Sequence, residues 1–498
     1  MKRYLIIFIS LLTMFGFISI RLCYLANGIG TTTESGYTQR LNIASRRGFI
    51  YDRNDIPIAG VKDGYVTLID PSKGGGNSYP HLVDNLRKTV PYTIFTDTFY
   101  DDSGSYSVPF YRRYPDENGT PAAHIIGYIN GDGIGVSGTE YYFDSYLTLN
   151  SGEIYMTYQA DGVNNMFGGL PVFLYDVGYS HDSGVVLTLD IELQESVEKM
   201  WKNLDIGKGA VVIADIVTGE ILVSASFPTF NTNNISAYLN SNEGEFINRC
   251  ARGFTPGSVF KIITACAALD NHINYMYTKY ECTGEHCYAG IAHGAVNMAD
   301  AFANSCNGYF YRIINMIGID RLNETAEKFG IGQYDYIDMF RTGKGKLDMQ
   351  VPRNASIGQG GILCTPYEIT RVICTIMNDG VFTDLHLFKG FYGNSYAENN
   401  VTGEQVIKKY TASVMKSMMR AVVTDGIGRN AVYNDSDNGK IGGKTASAQS
   451  GQYDADGNEI IHSWFAGYNG DLVITVFCED NRNITAAEIF AEVSEVIK

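Results

Sequence analysis

Lys440-Ile441-Gly442-Gly443-Lys444-Thr445-Ala446-Ser447-Ala448-Gln449 is the first of three apolar segments near the C-terminus. The other two are residues 462–468 and 472–478, and polar residues separate all three. This alternation of apolar segments and turns predicts three successive antiparallel strands. The apolar periodicity of residues 486–497 predicts a helix that closes the chain.

Strand and helix patterns also precede this region. Residues 210–216 and 221–226 flank a turn and predict a β-hairpin. Residues 185–188 predict a strand that leads into a helix over 191–204, and an apolar run predicts another helix over 258–269. Strands at both ends of a helical middle predict the α+β class, an antiparallel sheet flanked by helices.

Length and charge limit the remaining possibilities. A chain of 498 residues is too long for one hydrophobic core, so two or three folded units are expected. The 54 acidic and 38 basic residues give a net charge of −16, which argues against nucleic acid as a partner. Residues 28–175 are rich in Gly, Tyr, Asp and Asn and predict extended strands and loops.

The N-terminus predicts a membrane anchor. Lys2 and Arg3 precede an uncharged segment over residues 4–20, which Arg21 closes. This length is at the short end of what spans a bilayer, and a cleaved signal peptide is the less favoured alternative because no convincing cleavage site follows. Residues 1–27 are therefore expected to form a short cytoplasmic tip and a single transmembrane helix, with the bulk of the chain outside the cell membrane.

Thr255-Pro256-Gly257-Ser258-Val259-Phe260-Lys261 contains a candidate nucleophile. Thr255 can cap a helix and Pro256 suits its first position, which places Ser258 in the first turn. Residues three apart share a helix face, so the Lys261 amine is expected beside the Ser258 hydroxyl. The apolar helix buries Lys261, which lowers its pKa and lets its neutral form accept the serine proton.

Ser305-Cys306-Asn307 lies between two predicted helices, at 299–304 and 309–316. A hydroxyl and an amide two residues apart can converge on one point from such a break. By itself this segment is more simply interpreted as an ordinary polar loop.

The strand segment at 440–449 supplies a third candidate group. Strand alternation places Lys444 and Ala446 on one face and Thr445 and Ser447 on the other. A solvated lysine on a glycine-weakened strand is the simpler interpretation when this segment is taken alone.

Together, Ser-x-x-Lys, Ser-x-Asn and the Lys-Thr-Gly-like segment resemble the signature of serine penicillin-recognising enzymes. The segment at 47–54, Arg-Gly-Phe-Ile-Tyr-Asp-Arg-Asn, is similar to one that opens the non-catalytic pedestal of class B (monofunctional) penicillin-binding proteins. Residues 356–360 and 462–468 resemble further landmarks of that class.

This resemblance implies three parts of the chain. They are the anchor at 1–27, a non-catalytic pedestal or dimerisation-like domain at 28–175, and a transpeptidase domain at 176–498. It also implies the partners: peptidoglycan stem peptides ending in D-Ala-D-Ala, β-lactams, and a membrane glycan polymerase of the division or elongation machinery. No cofactor is expected.

The resemblance further implies roles for the catalytic residues. Ser258 attacks the carbonyl between the two D-alanines, and Lys261 accepts its proton. Ser305 relays a proton to the leaving group, and Asn307 holds the substrate amide. The amine of a second stem peptide then resolves the acyl-enzyme and forms the cross-link.

The third segment is expected to bind the substrate. Lys444 and Thr445 would bind its terminal carboxylate. The N–H groups of Ser258 and Ser447 would form the oxyanion hole. Ala446 departs from the family pattern, which has glycine there, and its methyl group is expected to tune the affinity for substrate or β-lactam.

Four soft or borderline ligands, Cys282, His286, Cys287 and His293, lie within twelve residues before Ser305. Their spacing matches no standard zinc motif, so the sequence leaves free thiols, a local disulfide and structural zinc open, with zinc the least favoured.

Related functions are the alternatives. A D,D-carboxypeptidase or a β-lactamase-like hydrolase would use water as the acceptor, and the pedestal-like region argues against both. A catalytically weak β-lactam sensor or cell-wall scaffold is the alternative from another class, and a sensor should carry more transmembrane helices than the one predicted here.

Overall fold

The computed structural model describes residues 12–19, 21, 38–71, 73, 90–102, 104–114, 119–161, 166, 171–394, 396, 403–432, 439–454, 456–480 and 484–497. The predicted anchor at 4–20 lies outside the described residues except for 12–19, which are helical. Within these ranges, no helix is both long enough and apolar enough to cross a bilayer.

The strands are β1 Thr38–Arg46, β2 Phe49–Tyr51, β3 Pro57–Ala59, β4 Val61–Ile69, β5 Tyr92–Thr96, β6 Asp101–Asp102, β7 Ser105–Arg112, β8 Gly152–Gln159, β9 Phe173–Val177, β10 Gly184–Leu187, β11 Gly209–Asp215, β12 Ile221–Phe227, β13 Tyr280–Cys282, β14 Gly294–Val296, β15 Tyr336–Ile337, β16 Phe340–Arg341, β17 Phe388–Phe391, β18 Ile441–Tyr453, β19 Glu459–Asn469 and β20 Leu472–Cys478.

The α-helices are α1 Ala123–Ile126, α2 Gly138–Tyr142, α3 Asp144–Leu149, α4 Ile191–Asn203, α5 Lys261–Asp270, α6 Met298–Ala303, α7 Asn307–Ile317, α8 Ile319–Lys328, α9 Pro352–Ala355, α10 Pro366–Met377, α11 Lys409–Thr424 and α12 Ala486–Val496. Short 3₁₀ turns occupy Ile235–Ala237, Gly257–Phe260, Tyr288–Gly290 and Arg429–Ala431.

The described residues form two compact units. The first is drawn from residues up to Arg46 together with Asp63–Tyr111 and Gly152–His181. It contains a three-stranded sheet of order β1-β8-β9 and a four-stranded sheet of order β5-β4-β7-β6. Its core includes Ile43, Val66 and Met156.

The second unit comprises Arg47–Lys62, Arg112–Ser151 and Asp182–Lys498. The sequence placed residues 28–175 together as extended strands and loops. The structure instead assigns 47–62 and 112–151 to the second unit, and 112–151 includes the short helices α1, α2 and α3. The reason is burial, since Ile50, Ile126 and Leu147 belong to the large core of the second unit.

A five-stranded antiparallel sheet organises the second unit, in the order β12-β11-β20-β19-β18. Both faces of this sheet are covered. Val211 and Ile213 on β11 pack in one core with α4 and α12, whereas Ala210 and Val212 pack in the core that contains α5 and α10. This confirms the predicted α+β class, the three C-terminal strands and the closing helix. Because β18 is an edge strand, one side of it is open to the segment that carries Ser258.

Candidate active site

Ser258 lies in the 3₁₀ turn Gly257–Phe260, directly before α5. Gly257 has a φ of 54°, and its N–H donates to the Gly358 carbonyl oxygen at 3.0 Å. Gly358 also has a positive φ, and a Cβ there would lie 2.2 Å from the Gly257 carbonyl oxygen. Residues 356–360 thus support the serine turn, and only glycine fits at 358.

Thr255 does not cap this helix as the sequence predicted. The turn starts at Gly257, its cap residue is Pro256, and no side chain supplies a capping hydrogen bond. Thr255 contributes through its backbone instead, because its carbonyl oxygen accepts a hydrogen bond of 3.0 Å from the buried Trp464 indole Nε1. Sequence analysis had not assigned this anchoring role to Trp464.

Lys261 is fully buried, and its Nζ donates to three oxygens. These are the Ser305 carbonyl at 2.7 Å, the Asn307 Oδ1 at 2.7 Å and the Ser305 Oγ at 3.1 Å. The Nζ also lies 5.3 Å from the centroid of the Phe310 ring. Burial lowers the pKa of Lys261 to about 7, so a large neutral fraction is present near neutral pH.

The predicted contact between Lys261 and Ser258 is not a hydrogen bond here. Among the described residues, the Ser258 hydroxyl has no hydrogen-bond partner, and this residue is partly exposed. The Lys261 side chain is extended towards the break between α6 and α7 because the oxygens there satisfy its N–H groups. The amine nevertheless contacts the Ser305–Asn307 segment, which the sequence predicted to belong to the same site.

Ser305 and Asn307 converge on one point, as the sequence predicted. Their side-chain oxygens both accept from the Lys261 Nζ. Ser305 has a φ of 55°, which is uncommon for a residue other than glycine and typical of functional sites. Its Oγ also lies 3.1 Å from the Lys444 Nζ, so one hydroxyl connects the two lysines.

Lys444 is also fully buried on β18. Its burial, together with the nearby Lys261 charge, holds its pKa well below the usual value for lysine. Its Nζ donates to the Thr445 carbonyl oxygen at 3.0 Å and lies 5.7 Å from the centroid of the Phe302 ring. Within the described part of the chain, neither buried amine pairs with a carboxylate, so an anionic group of a ligand would be favoured beside them.

The side chains of β18 alternate as the sequence predicted. Lys444 and Ala446 are buried, whereas Thr445 is partly exposed and Ser447 is exposed. The Thr445 Oγ1 is itself shielded and has no hydrogen-bond partner in the described structure. A Cβ added to Gly257 would lie 3.5 Å from the Ala446 Cβ, so the alanine methyl packs beside the serine turn.

The predicted group of soft ligands is confirmed in part. Cys282, Cys287 and His293 come together, but His286 does not join them; its imidazole lies 5.4 Å from the Tyr311 ring. The fourth member is Cys306, the middle residue of Ser-x-Asn. Sequence analysis missed Cys306 because it lies 13 residues beyond His293, inside a segment already assigned to another role.

Comparison with known proteins identifies the class. Residues 209–495 match the family described as penicillin binding protein transpeptidase domain, which covers more than half of the chain. The chain therefore belongs to the penicillin-binding protein transpeptidase family, a serine-type enzyme family, and is of the class B type.

The individual relatives agree with this assignment. The chain is 25% identical to the peptidoglycan D,D-transpeptidase MrdA of Escherichia coli K12, over 78% of this chain and 74% of the relative. A chain from a structure on the coordination of polymerization and crosslinking by a peptidoglycan synthase complex superposes with a TM-score of 0.69 at 22% identity, covering 99% of this chain and 97% of that one. Penicillin binding protein 3 of Mycobacterium tuberculosis, complexed with aztreonam, gives a TM-score of 0.65 at 22% identity, covering 92% and 96%.

Proposed function

We propose that this protein is a peptidoglycan D,D-transpeptidase that cross-links stem peptides through an acyl-enzyme on Ser258. The observation that carries this proposal is the hydrogen bonding of one hydroxyl, that of Ser305, to the buried amines of both Lys261 and Lys444. Side chains from three distant segments are thereby connected beside the serine turn. The name of the Escherichia coli relative supports the same reaction.

In the proposed acylation, the Ser258 Oγ attacks the carbonyl carbon of the penultimate D-alanine. The neutral amine of Lys261 accepts the hydroxyl proton, and the pKa near 7 supports this role. The proton then reaches the nitrogen of the departing D-alanine through the Ser305 hydroxyl. The amine of a second stem peptide attacks the ester carbonyl, forms the new amide and restores the Ser258 hydroxyl.

Substrate orientation is assigned to β18. The Lys444 amine and the shielded Thr445 hydroxyl would bind the terminal carboxylate of the stem peptide, which would supply the anion that the buried amines lack. The N–H groups of Ser258 and Ser447 would stabilise the oxyanion, each worth roughly 3 to 4 kcal/mol in comparable enzymes. Asn307 would bind the substrate amide.

β-Lactams would acylate the same serine, because their strained amide presents a carbonyl with a nearby carboxylate. The relative complexed with aztreonam, a monocyclic β-lactam, supports this assignment. The structural neighbour from a peptidoglycan synthase complex supports a glycan polymerase as the partner. A membrane location through residues 1–27 and a pedestal role for the first unit, which includes Asp63–Tyr111 and Gly152–His181, belong to the same proposal.

Product analysis tests the reaction. The full-length protein is incubated with a stem pentapeptide ending in D-Ala-D-Ala and an acceptor peptide with a free side-chain amine, and the products are separated and weighed. We expect a cross-linked dimer and free D-alanine from the wild type and neither from Ser258→Ala. Ser413→Ala is the matched control, because it removes an exposed serine hydroxyl on α11, outside the site, and should remain active. Release of D-alanine without any dimer would identify a carboxypeptidase instead.

A further inference from the structure

We propose that Cys282, Cys287, His293 and Cys306 bind a Zn²⁺ ion that fastens the 280–296 hairpin to the Ser305–Asn307 junction. The ion would be structural, because four protein ligands complete a tetrahedral site and leave no position for substrate. This proposal goes beyond the transpeptidase reaction and does not depend on it.

The ligand atoms are spaced as a tetrahedral zinc site requires. With Zn–S bonds of about 2.3 Å and Zn–N bonds of about 2.0 Å, neighbouring ligand atoms stand roughly 3.5 to 3.8 Å apart. The Cys282 Sγ lies 3.5 Å from the Cys287 Sγ and 3.4 Å from the His293 Nδ1. The Cys287 Sγ lies 3.7 Å from the Cys306 Sγ, and all four ligand atoms lie within 4.8 Å of one another.

The backbone holds three of these ligands in one small hairpin. Cys282 ends β13 and pairs with Gly294, the first residue of β14, so His293 lies directly beside it. Cys287 belongs to a tight turn in which its N–H donates to the Gly284 carbonyl oxygen at 3.0 Å. Three ligands therefore belong to one hairpin, and the fourth, Cys306, belongs to another element.

The chemistry of the ligand set favours zinc over other states. Three thiols and one imidazole suit Zn²⁺ and exclude Mg²⁺ and Ca²⁺, which prefer oxygen ligands. A Cys282–Cys287 disulfide requires sulfur atoms about 2.05 Å apart and would leave His293 and Cys306 without a function in the cluster. A bound metal ion explains why all four groups converge.

The position of Cys306 would connect the ion to the catalytic residues. Cys306 is the residue between Ser305 and Asn307, whose oxygens both bind the Lys261 amine. A bond from the ion to its sulfur would hold this junction in addition to the Lys261 hydrogen bonds, and would help to keep Ser305 at its positive φ. Zinc binding and the geometry of the catalytic junction would thus be coupled.

Metal analysis of the purified full-length protein tests the site directly. We expect about one zinc per chain in the wild type, as a four-ligand structural site requires, and almost none in His293→Asn or Cys287→Ser. His286→Asn is the matched control, since it removes an imidazole seven residues earlier that lies outside the cluster, and it should keep its zinc. Equal zinc content in His293→Asn and His286→Asn would overturn the assignment.

Cobalt substitution of the wild type covers the case in which the ligand variants fail to fold. Protein stripped with a chelator and refilled with Co²⁺ should show thiolate-to-cobalt charge-transfer absorption and the intense visible bands of tetrahedral cobalt. Removal of the metal should lower the thermal midpoint, and added zinc should restore it. Reduced thiols at Cys282, Cys287 and Cys306 with no bound metal, or an intact mass with a Cys282–Cys287 disulfide, would contradict the proposal whatever the outcome of the transpeptidase assay.

Discussion

Two regions contact the Ser305–Asn307 junction, and they are held in different ways. On one side, α5 is buried at every position over residues 261–269, so apolar packing fixes the Lys261 amine. On the other side, residues 285–292 are exposed except for Cys287, which is partly exposed. That segment has little apolar packing of its own, and its polar ligand cluster is what connects it to the junction.

The α5 side therefore carries a reacting group, whereas the hairpin side supports the junction without supplying one. A change on the α5 side removes a group that handles protons, so it should act on the rate of acylation and on its pH dependence. A change on the hairpin side leaves every proposed reacting group in place and acts mainly on how firmly the junction is held. The effects expected below therefore decrease from the first side to the second.

The largest effect is expected from Lys261→Met. Methionine fills a similar volume but cannot accept a proton, so acylation by benzylpenicillin should slow by about 10³-fold, within the usual range for a general base. The rate is measured by stopped-flow or by quenched mass spectrometry. Lys416→Met, which removes a partly exposed lysine paired with Asp379, is the control and should react normally. A rate for Lys261→Met within tenfold of the wild type would exclude this lysine as the base.

The pH profile of the wild type provides a second test of the buried side. The reactive form of Lys261 is the neutral amine, which increases as the pH rises through its pKa of about 7. Acylation should therefore accelerate about tenfold between pH 6 and pH 8, following the neutral fraction of a single base. A profile that is flat or falls over this interval would show that another group accepts the proton.

On the hairpin side, Cys287→Ser should have a smaller effect. We expect the variant to lose about 1 kcal/mol of the free energy that holds the junction in its active geometry. This loss corresponds to about a fivefold decrease in acylation rate. Lys261 keeps its hydrogen-bond partners, so the proposed base stays in place. The comparison is with His286→Asn, which should match the wild type in rate. A decrease as large as that of Lys261→Met would mean that the cluster takes part in the chemistry itself.

The smallest effect is expected from Ala446→Gly, which introduces the residue that the family usually has. The Ala446 methyl is buried beside Gly257, on the strand face opposite Thr445 and Ser447. We therefore expect a loss of about 0.5–1 kcal/mol in the free energy of unfolding and a change in acylation of less than about threefold. Denaturant titration and the benzylpenicillin rate measure the two quantities. A tenfold change in rate would show that this methyl group shapes the substrate cleft.

Local sequence patterns predicted the sheet well. The strands predicted at 440–449, 462–468 and 472–478 correspond to β18, β19 and β20, with only residue 440 outside them. Their buried side chains leave a strong apolar signal in the sequence. The same patterns could not show which core residues 47–62 and 112–151 join. Alternation reports that Ile50 or Ile126 is buried, but it does not report against which element the side chain packs.

The sequence predicted those parts of the candidate site whose geometry follows from residue spacing. It predicted less well the parts whose geometry depends on tertiary contacts. The break at Ser305 and the alternation at Lys444 follow from local periodicity. Two features of the site depend on contacts distant in the sequence, which local spacing does not report. The Lys261 amine bonds to residues more than 40 positions away, and Cys306 takes the place predicted for His286.

The identity of the nucleophile is the central claim, and intact-mass measurement with benzylpenicillin tests it most directly. The wild-type protein should gain the mass of one ring-opened penicillin, and peptide mapping should place it on Ser258. Ser258→Ala should remain unmodified under the same conditions, whereas Ser413→Ala, which removes an exposed serine on α11, should still be labelled. A wild type that gains no mass, or a label that persists in Ser258→Ala, would contradict the account.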